Sequence, residues 1–209
     1  KILKIGIPSG FERTLTYFSF LFFVKIIADY GIYTLAGYQI GLRIEGLAFM
    51  PGFGFTIAAM TLVGQSLGSK NPQQAENYAK ETVKIASIFM GFMGVIMVIF
   101  PEYLAMIFTN DKKTIEEAVL YLKIVGLTQV PLAIGFVLSG VLRGAGSTKT
   151  TLYINTFSLW ILRIIPAFIL SKIFDNVLVV YMVMFLETYL KAGILWYFFK
   201  KGDWKKIKI

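Results

Sequence analysis

The side chains most able to do chemistry here are a few ionisable residues set inside long apolar runs. Arg163, Glu187 and Lys191 lie deep within such runs, while Glu12 with Arg13, Lys25 with Asp29, and Arg43 with Glu45 lie nearer run ends. A charge at the centre of a membrane helix costs roughly 2.5–3.5 kcal/mol on insertion scales, so those that persist pair, face water or act. At a helical rise of about 1.5 Å per residue, Arg163 and Glu187 each fall within a few ångströms of the middle of their own runs. The two runs are consecutive, hence antiparallel. This predicts that Arg163 and Glu187 pair or face one aqueous cavity, with Lys191 one turn from Glu187. The shallower residues read as interfacial anchors or packing salt bridges, Lys25 and Asp29 being spaced to pair or to snorkel.

Other chemistries lack their reagents. The sequence contains no cysteine and no histidine, which excludes disulfides, Cys/His metal sites, thiol catalysis and Ser-His-Asp triads. Gly52-Phe53-Gly54 is neither a Walker loop nor a dinucleotide fingerprint, because no strand precedes it and no Gly-Lys-Ser/Thr follows. The reading is therefore of a protein that is not an enzyme and needs no cofactor. Its net charge of +9 falls between apolar runs and at the ends, the pattern that sets membrane topology rather than a nucleic-acid surface.

The elements that must position these residues follow from hydropathy. Of 209 residues, 56% are hydrophobic and the mean hydropathy is +0.69, more than a soluble domain of this size hides. Crossing the hydrocarbon takes roughly 20 apolar residues. Six such spans are expected, at about 8–30, 37–63, 82–100, 115–142, 150–172 and 177–199, in one transmembrane unit over residues 1–209. No cleavable signal peptide is evident, and a chain that starts with Lys1 reads as a piece of a longer protein.

Connectors and breakers refine these spans. Asn71-Pro72 reads as an N-cap with proline at the first helical position, and Thr114 with Glu117 as a capping box. The Gly144–Ser147 segment breaks the chain. Pro51 with Gly52, Pro131 and Pro166 are hinge candidates, each removing a backbone bond. Gly37 and Gly41 form a small-xxx-small pair for close helix approach. Trp160 falls near mid-membrane, while Trp196 and Trp204 suit the interfacial belt. Twelve lysines and arginines gather on one side (Lys1, Lys4, Lys70, Lys80, Lys84, Arg143, Lys149, Lys200, Lys201, Lys205, Lys206 and Lys208) against Lys112, Lys113 and Lys172 on the other. Both ends are thereby placed in the cytoplasm, as an even number of spans requires.

Several stretches resemble the multidrug and toxic compound extrusion (MATE) transporters. Ile7-Pro-Ser-Gly-Phe-Glu12 is similar to the start of their seventh helix, and LAGYQIGLRIEGLAFMPGFGFTIAAMTLVGQSLGSKNPQQA (35–75) to the eighth helix and its loop. SGVLRGAGSTKT (139–150) resembles the loop after the tenth helix, and GDWKKIK (202–208) a common ending. The resemblance implies an all-α membrane protein whose six helices form one lobe, the C-terminal one, of a two-lobed bundle. It further implies an antiporter in the cytoplasmic membrane that expels organic cations and amphipathic drugs in exchange for Na+ or H+. An N-terminal six-helix lobe, in the same or a partner chain, would complete it. Glu12, Thr16, Gln39, Trp160, Arg163, Glu187 and Lys191 are the candidate cavity residues. In the NorM branch an acidic residue occupies the position of Thr16, and aromatic and acidic partners those of Thr128 and Leu132, so the resemblance leans to the DinF branch. A lipid-linked saccharide flippase and a non-transporting membrane subunit remain the alternative readings.

Overall fold

The computed structural model describes the backbone of residues 2–206, and side chains within that range other than those of 2–9, 12 and 206. It contains the helices α1 (Ile2–Ala28), α2 (Ile32–Gly68), α3 (Pro72–Ile99), α4 (Pro101–Met106), α5 (Lys112–Gly144), α6 (Thr148–Phe157), α7 (Ile165–Ile173) and α8 (Val177–Lys201). A π-helical segment, Ser158–Ile164, joins α6 to α7 in one rod, and a 3-10 turn, Asp203–Lys206, follows α8. No strand occurs among the described residues.

Six long rods thus answer to the six expected spans. Five are long and apolar enough to cross a membrane: α2, α3, α5, the α6–α7 rod and α8. The sixth, α1, has the length, at 27 residues, but Glu12, Arg13 and Lys25 interrupt its apolar character. Most rods outrun the apolar runs that announced them. α2, for instance, extends 37 residues, taking in residues 32–36 before the expected start and 64–68 after the expected end.

The helix ends show why. Asn71 caps α3 as its sequence suggests, its side chain accepting from the Gln74 amide at 3.0 Å with Pro72 in the first turn. The capping box proposed at Thr114 does not form. Asp111 takes the role a turn earlier, accepting from both the amide (2.9 Å) and the hydroxyl (2.6 Å) of Thr114. Trp204 likewise leaves the interfacial belt assigned to it. It is buried, stacks on Phe199, and donates its Nε1–H to the Phe199 carbonyl at 2.9 Å, while Lys205 pairs with Glu76 at 2.5 Å. The end of α8 is thereby tied back to α3.

The spine of the bundle is α5. In its most apolar stretch 78% of residues are buried inside the chain, against 22% for α2, so the other rods pack around it. Glycine lets them come close. A Cβ at Gly37 or Gly41 would overlap Glu117 or Tyr121 of α5, and at Gly140 or Gly144 it would overlap backbone of Thr56 or Met60 in α2. Gly94 of α3 and Gly126 of α5 abut in the same way. The predicted small-xxx-small pair packs closely against Glu117, Ala118 and Tyr121 of the partner helix. Apolar side chains such as Phe18, Leu21, Met50, Phe53 and Phe92 point outward, as expected where lipid or other apolar helices form the surroundings.

Steric contact at these glycines gives a direct test. Gly140→Val and Gly144→Val are each expected to destabilise the fold by about 1–3 kcal/mol, the usual range for overpacking. Gly46→Ala, with nothing within 4 Å of its added Cβ, is expected to stay neutral or slightly stabilising. Thermal unfolding of the detergent-solubilised protein reads the difference.

Candidate functional site

The π-helical turn is where the site begins. Proline has no amide hydrogen, so Pro166 cannot supply the bond that would close the preceding α turn. The chain just before it winds as a π-helix, which closes i to i+5. Residues five apart point about 140° away from one another in an α-helix; a π turn brings them towards one face. Ser158 and Arg163 are such a pair, and both reach Glu187 on α8.

Glu187 has no solvent-exposed surface on its side chain. One oxygen, Oε2, accepts from Arg163 Nε at 3.0 Å and from an Arg163 terminal nitrogen at 2.5 Å, a two-pronged guanidinium grip. The other, Oε1, accepts from the Ser158 hydroxyl and lies 3.4 Å from Lys191 Nζ. Arg163 also approaches the Thr188 hydroxyl at 3.4 Å and stands 6.0 Å from the Phe23 ring centre. Arg163 and Glu187 each lie about 15 Å along the helix from the ends of their rods at the α7–α8 turn, which is half of a hydrocarbon core about 30 Å thick. Of the two arrangements the sequence allowed, direct pairing is present in the structure.

A second carboxylate joins them. Glu45 was read as an interfacial or packing residue near the outer end of its span, and that placement needs correcting. Because α2 begins earlier and runs longer than its apolar stretch, Glu45 is thirteen residues into the helix, with 4% of its surface exposed. It accepts the hydroxyl of Tyr121, from α5, at 2.7 Å and lies within the electrostatic reach of Arg163. Tyr38, Tyr121 and Tyr181 wall this place off, with ring centres 5.1 to 6.5 Å apart. The tyrosine wall carried no chemical motif and passed as ordinary core; only its coincidence with a mid-helix glutamate could have singled it out.

The remaining candidates disperse. Trp160, on the π segment, is half-buried and packs edge-on against Phe22 at 5.7 Å. Thr16 and Gln39 are exposed, away from the cluster's buried interior, and the side chain of Glu12 lies outside the described residues. Pro51 and Pro131 sit within continuous helices, with Gly52 packed under Met90 and Phe136. Only Pro166 adjoins a change of winding. Asp29 pairs with Lys172 at 3.6 Å rather than with Lys25, and both partners are well exposed. Arg13 and Arg43 are exposed, as anchors would be.

Long apolar rods around a glycine-lined spine, with buried charges paired at mid-bilayer depth, define a helical membrane bundle of the transporter class. The sequence matches the MatE family over residues 8–169. The chain belongs to the MATE family.

It is 34% identical to the probable multidrug resistance protein NorM of Thermotoga maritima over 207 residues, 99% of this chain and 45% of that one. It is 26% identical to the multidrug resistance protein MdtK of Yersinia pseudotuberculosis, over 81% of this chain and 36% of that one. Among solved structures, a MOP superfamily transporter from Pyrococcus furiosus superposes with a TM-score of 0.90 at 18% identity, covering 99% of this chain and 47% of its own. An outward-facing MATE family transporter superposes with a TM-score of 0.89, also at 18% identity and 47% of its own length. The fold is therefore that of one MATE lobe, and the chain spans less than half the length of these relatives.

Removing one partner of a buried pair leaves the other charge uncompensated. Glu187→Ala, which strands Arg163 and Lys191, is expected to destabilise the protein by about 3–5 kcal/mol. Asp29→Ala, at an exposed pair, is expected to cost about 0–1 kcal/mol. Denaturant unfolding in mild detergent compares the two.

Proposed function

We propose that this chain is the C-terminal six-helix lobe of a secondary active multidrug exporter, which expels cationic or amphipathic compounds in exchange for Na+ or H+. The observation that carries this reading is the buried cluster of Arg163, Glu187, Lys191 and Glu45 at mid-rod depth, two cations against two carboxylates, in a chain of the MATE family. Charge at such depth is retained where it serves a pathway or an ion. Multidrug resistance proteins among its relatives support the drug class.

The 45% share of the Thermotoga relative supports a second lobe of similar size, in the same polypeptide or a partner chain. Transport would proceed by rocking of the two lobes about a midplane cavity, with Pro51-Gly52, Pro131 and the π turn before Pro166 as bending points. Absence of carboxylates at Thr16 and Leu132, and of an aromatic residue at Thr128, supports the DinF-like branch. The excess of lysine and arginine at the α2–α3, α5–α6 and C-terminal ends supports a cytoplasmic-membrane protein with both ends of this chain in the cytoplasm. Near balance of charge in the cluster favours this reading over a flippase for anionic lipid-linked saccharides.

The test is movement of a fluorescent lipophilic cation by the full protein, reconstituted in vesicles with imposed H+ or Na+ gradients. Transport driven by one of the gradients is expected. Indifference to both sinks the antiport mechanism.

A further inference from the structure

The two buried carboxylates are compensated very differently. Glu187 holds two cations and a hydroxyl, forming salt bridges with Arg163 and Lys191. Glu45, almost as hidden, forms no salt bridge among the described residues; its hydrogen-bond donor, Tyr121, is neutral. The groups around it come from every packed element. Tyr38 lies on its own helix, Tyr121 on α5, Arg163 on the π segment, and Tyr181 with Glu187 on α8. What α1 and α3 add to this core is apolar: Phe23, Ile26 and Ile27 from the first, Met97 from the second. Arg163 attracts Glu45 from a distance, but its guanidinium is bonded to Glu187.

A carboxylate removed from water without a bonded cation costs several kcal/mol, and nature relieves this by adding a proton or a metal ion. Sodium asks for several oxygen ligands, and Glu45 meets few. The Tyr121 oxygen already donates its hydrogen, and the acceptor oxygen of Gln129, fully buried, has no partner. Within α5 the Gln129 amide nitrogen donates to the Val125 carbonyl at 3.3 Å, which leaves Tyr121 as the donor that meets Glu45.

We propose that Glu45 is a proton-binding site of this lobe, with Tyr121 as the residue that holds it, while Glu187 stays ionised as the fixed anchor of Arg163. Proton uptake adds one positive charge beside Arg163 and Lys191, which disfavours an organic cation in the same region; loss of the proton restores neutrality and admits it. Mutual exclusion of this kind is what exchange requires. The proposal rests on the antiport reading for its role in transport, but not for its existence.

Two measurements on the full reconstituted protein test it. Infrared difference spectra across a pH titration are expected to show a protonated-carboxyl band that Glu45→Gln removes. Tyr121→Phe, which takes a donor away from the charged form, is expected to keep the band and move its midpoint to higher pH. A wild-type band surviving in Glu45→Gln overturns the proposal, as does a band that responds to Na+ at constant pH. In the transport arm, Glu45→Gln is expected to lose H+-driven movement of the lipophilic cation while still binding it; H+-driven movement at the wild-type rate overturns the proposed role. A wild-type protein that responds to no gradient fails the antiport reading alone, and the infrared band then still decides the fate of Glu45.

Discussion

Everything at the centre of this bundle depends on keeping the Glu187 carboxylate ionised where no water reaches it. In hydrocarbon an unpaired carboxylate would be neutralised or expelled. Here Arg163, Lys191 and Ser158 converge on it from two rods, so the attraction is strong and the remaining lone pairs are satisfied. Such a pair is weak evidence for net stability, since desolvation offsets most of the Coulomb gain. Its consequence is geometric: the π segment and α8 can pack in one register only.

Backbone winding and small side chains supply the rest of that geometry. The π segment aligns Ser158 with Arg163, and Pro166 begins the α-helix that follows. At the spine, glycines on both α2 and α5 bring the two helices close enough for Tyr121 to reach Glu45. The polar site and the apolar packing are therefore not separable. A longer separation of α2 from α5 would leave Glu45 without its hydroxyl partner.

Much of this was legible in the sequence, for physical reasons. Hydrophobic length announced the rods, because each must cross the same thickness of hydrocarbon. Depth along consecutive antiparallel runs announced the meeting of Arg163 and Glu187, and i,i+4 spacing that of Glu187 and Lys191. Glu45 was misjudged because its depth was measured from the end of the apolar run. The helix itself starts earlier, at Ile32, beyond the Gly31 break and before the expected start at Gly37. The role of Ser158 was hidden by a change of winding that α-helical periodicity does not foresee. Trp204 was misplaced because its residue type fits a belt, whereas its stacking on Phe199 and the pairing of the next residue, Lys205, with Glu76 of α3 leave no hydropathy signal.

The unequal treatment of two buried carboxylates carries the structure's functional meaning. If both were equally paired, the cluster would be a static ornament of the core, indifferent to pH and to passing cations. If neither were paired, Arg163 and Lys191 would be an uncompensated positive field. The observed arrangement binds one anion firmly and leaves the other with a neutral donor only, so one side chain fixes the register while the other is left able to change its charge. A charge that changes without disturbing the anchor beside it is a local event. Its link to the rest of the bundle runs through the π turn, which supplies both Ser158 and Arg163 to the anchored carboxylate.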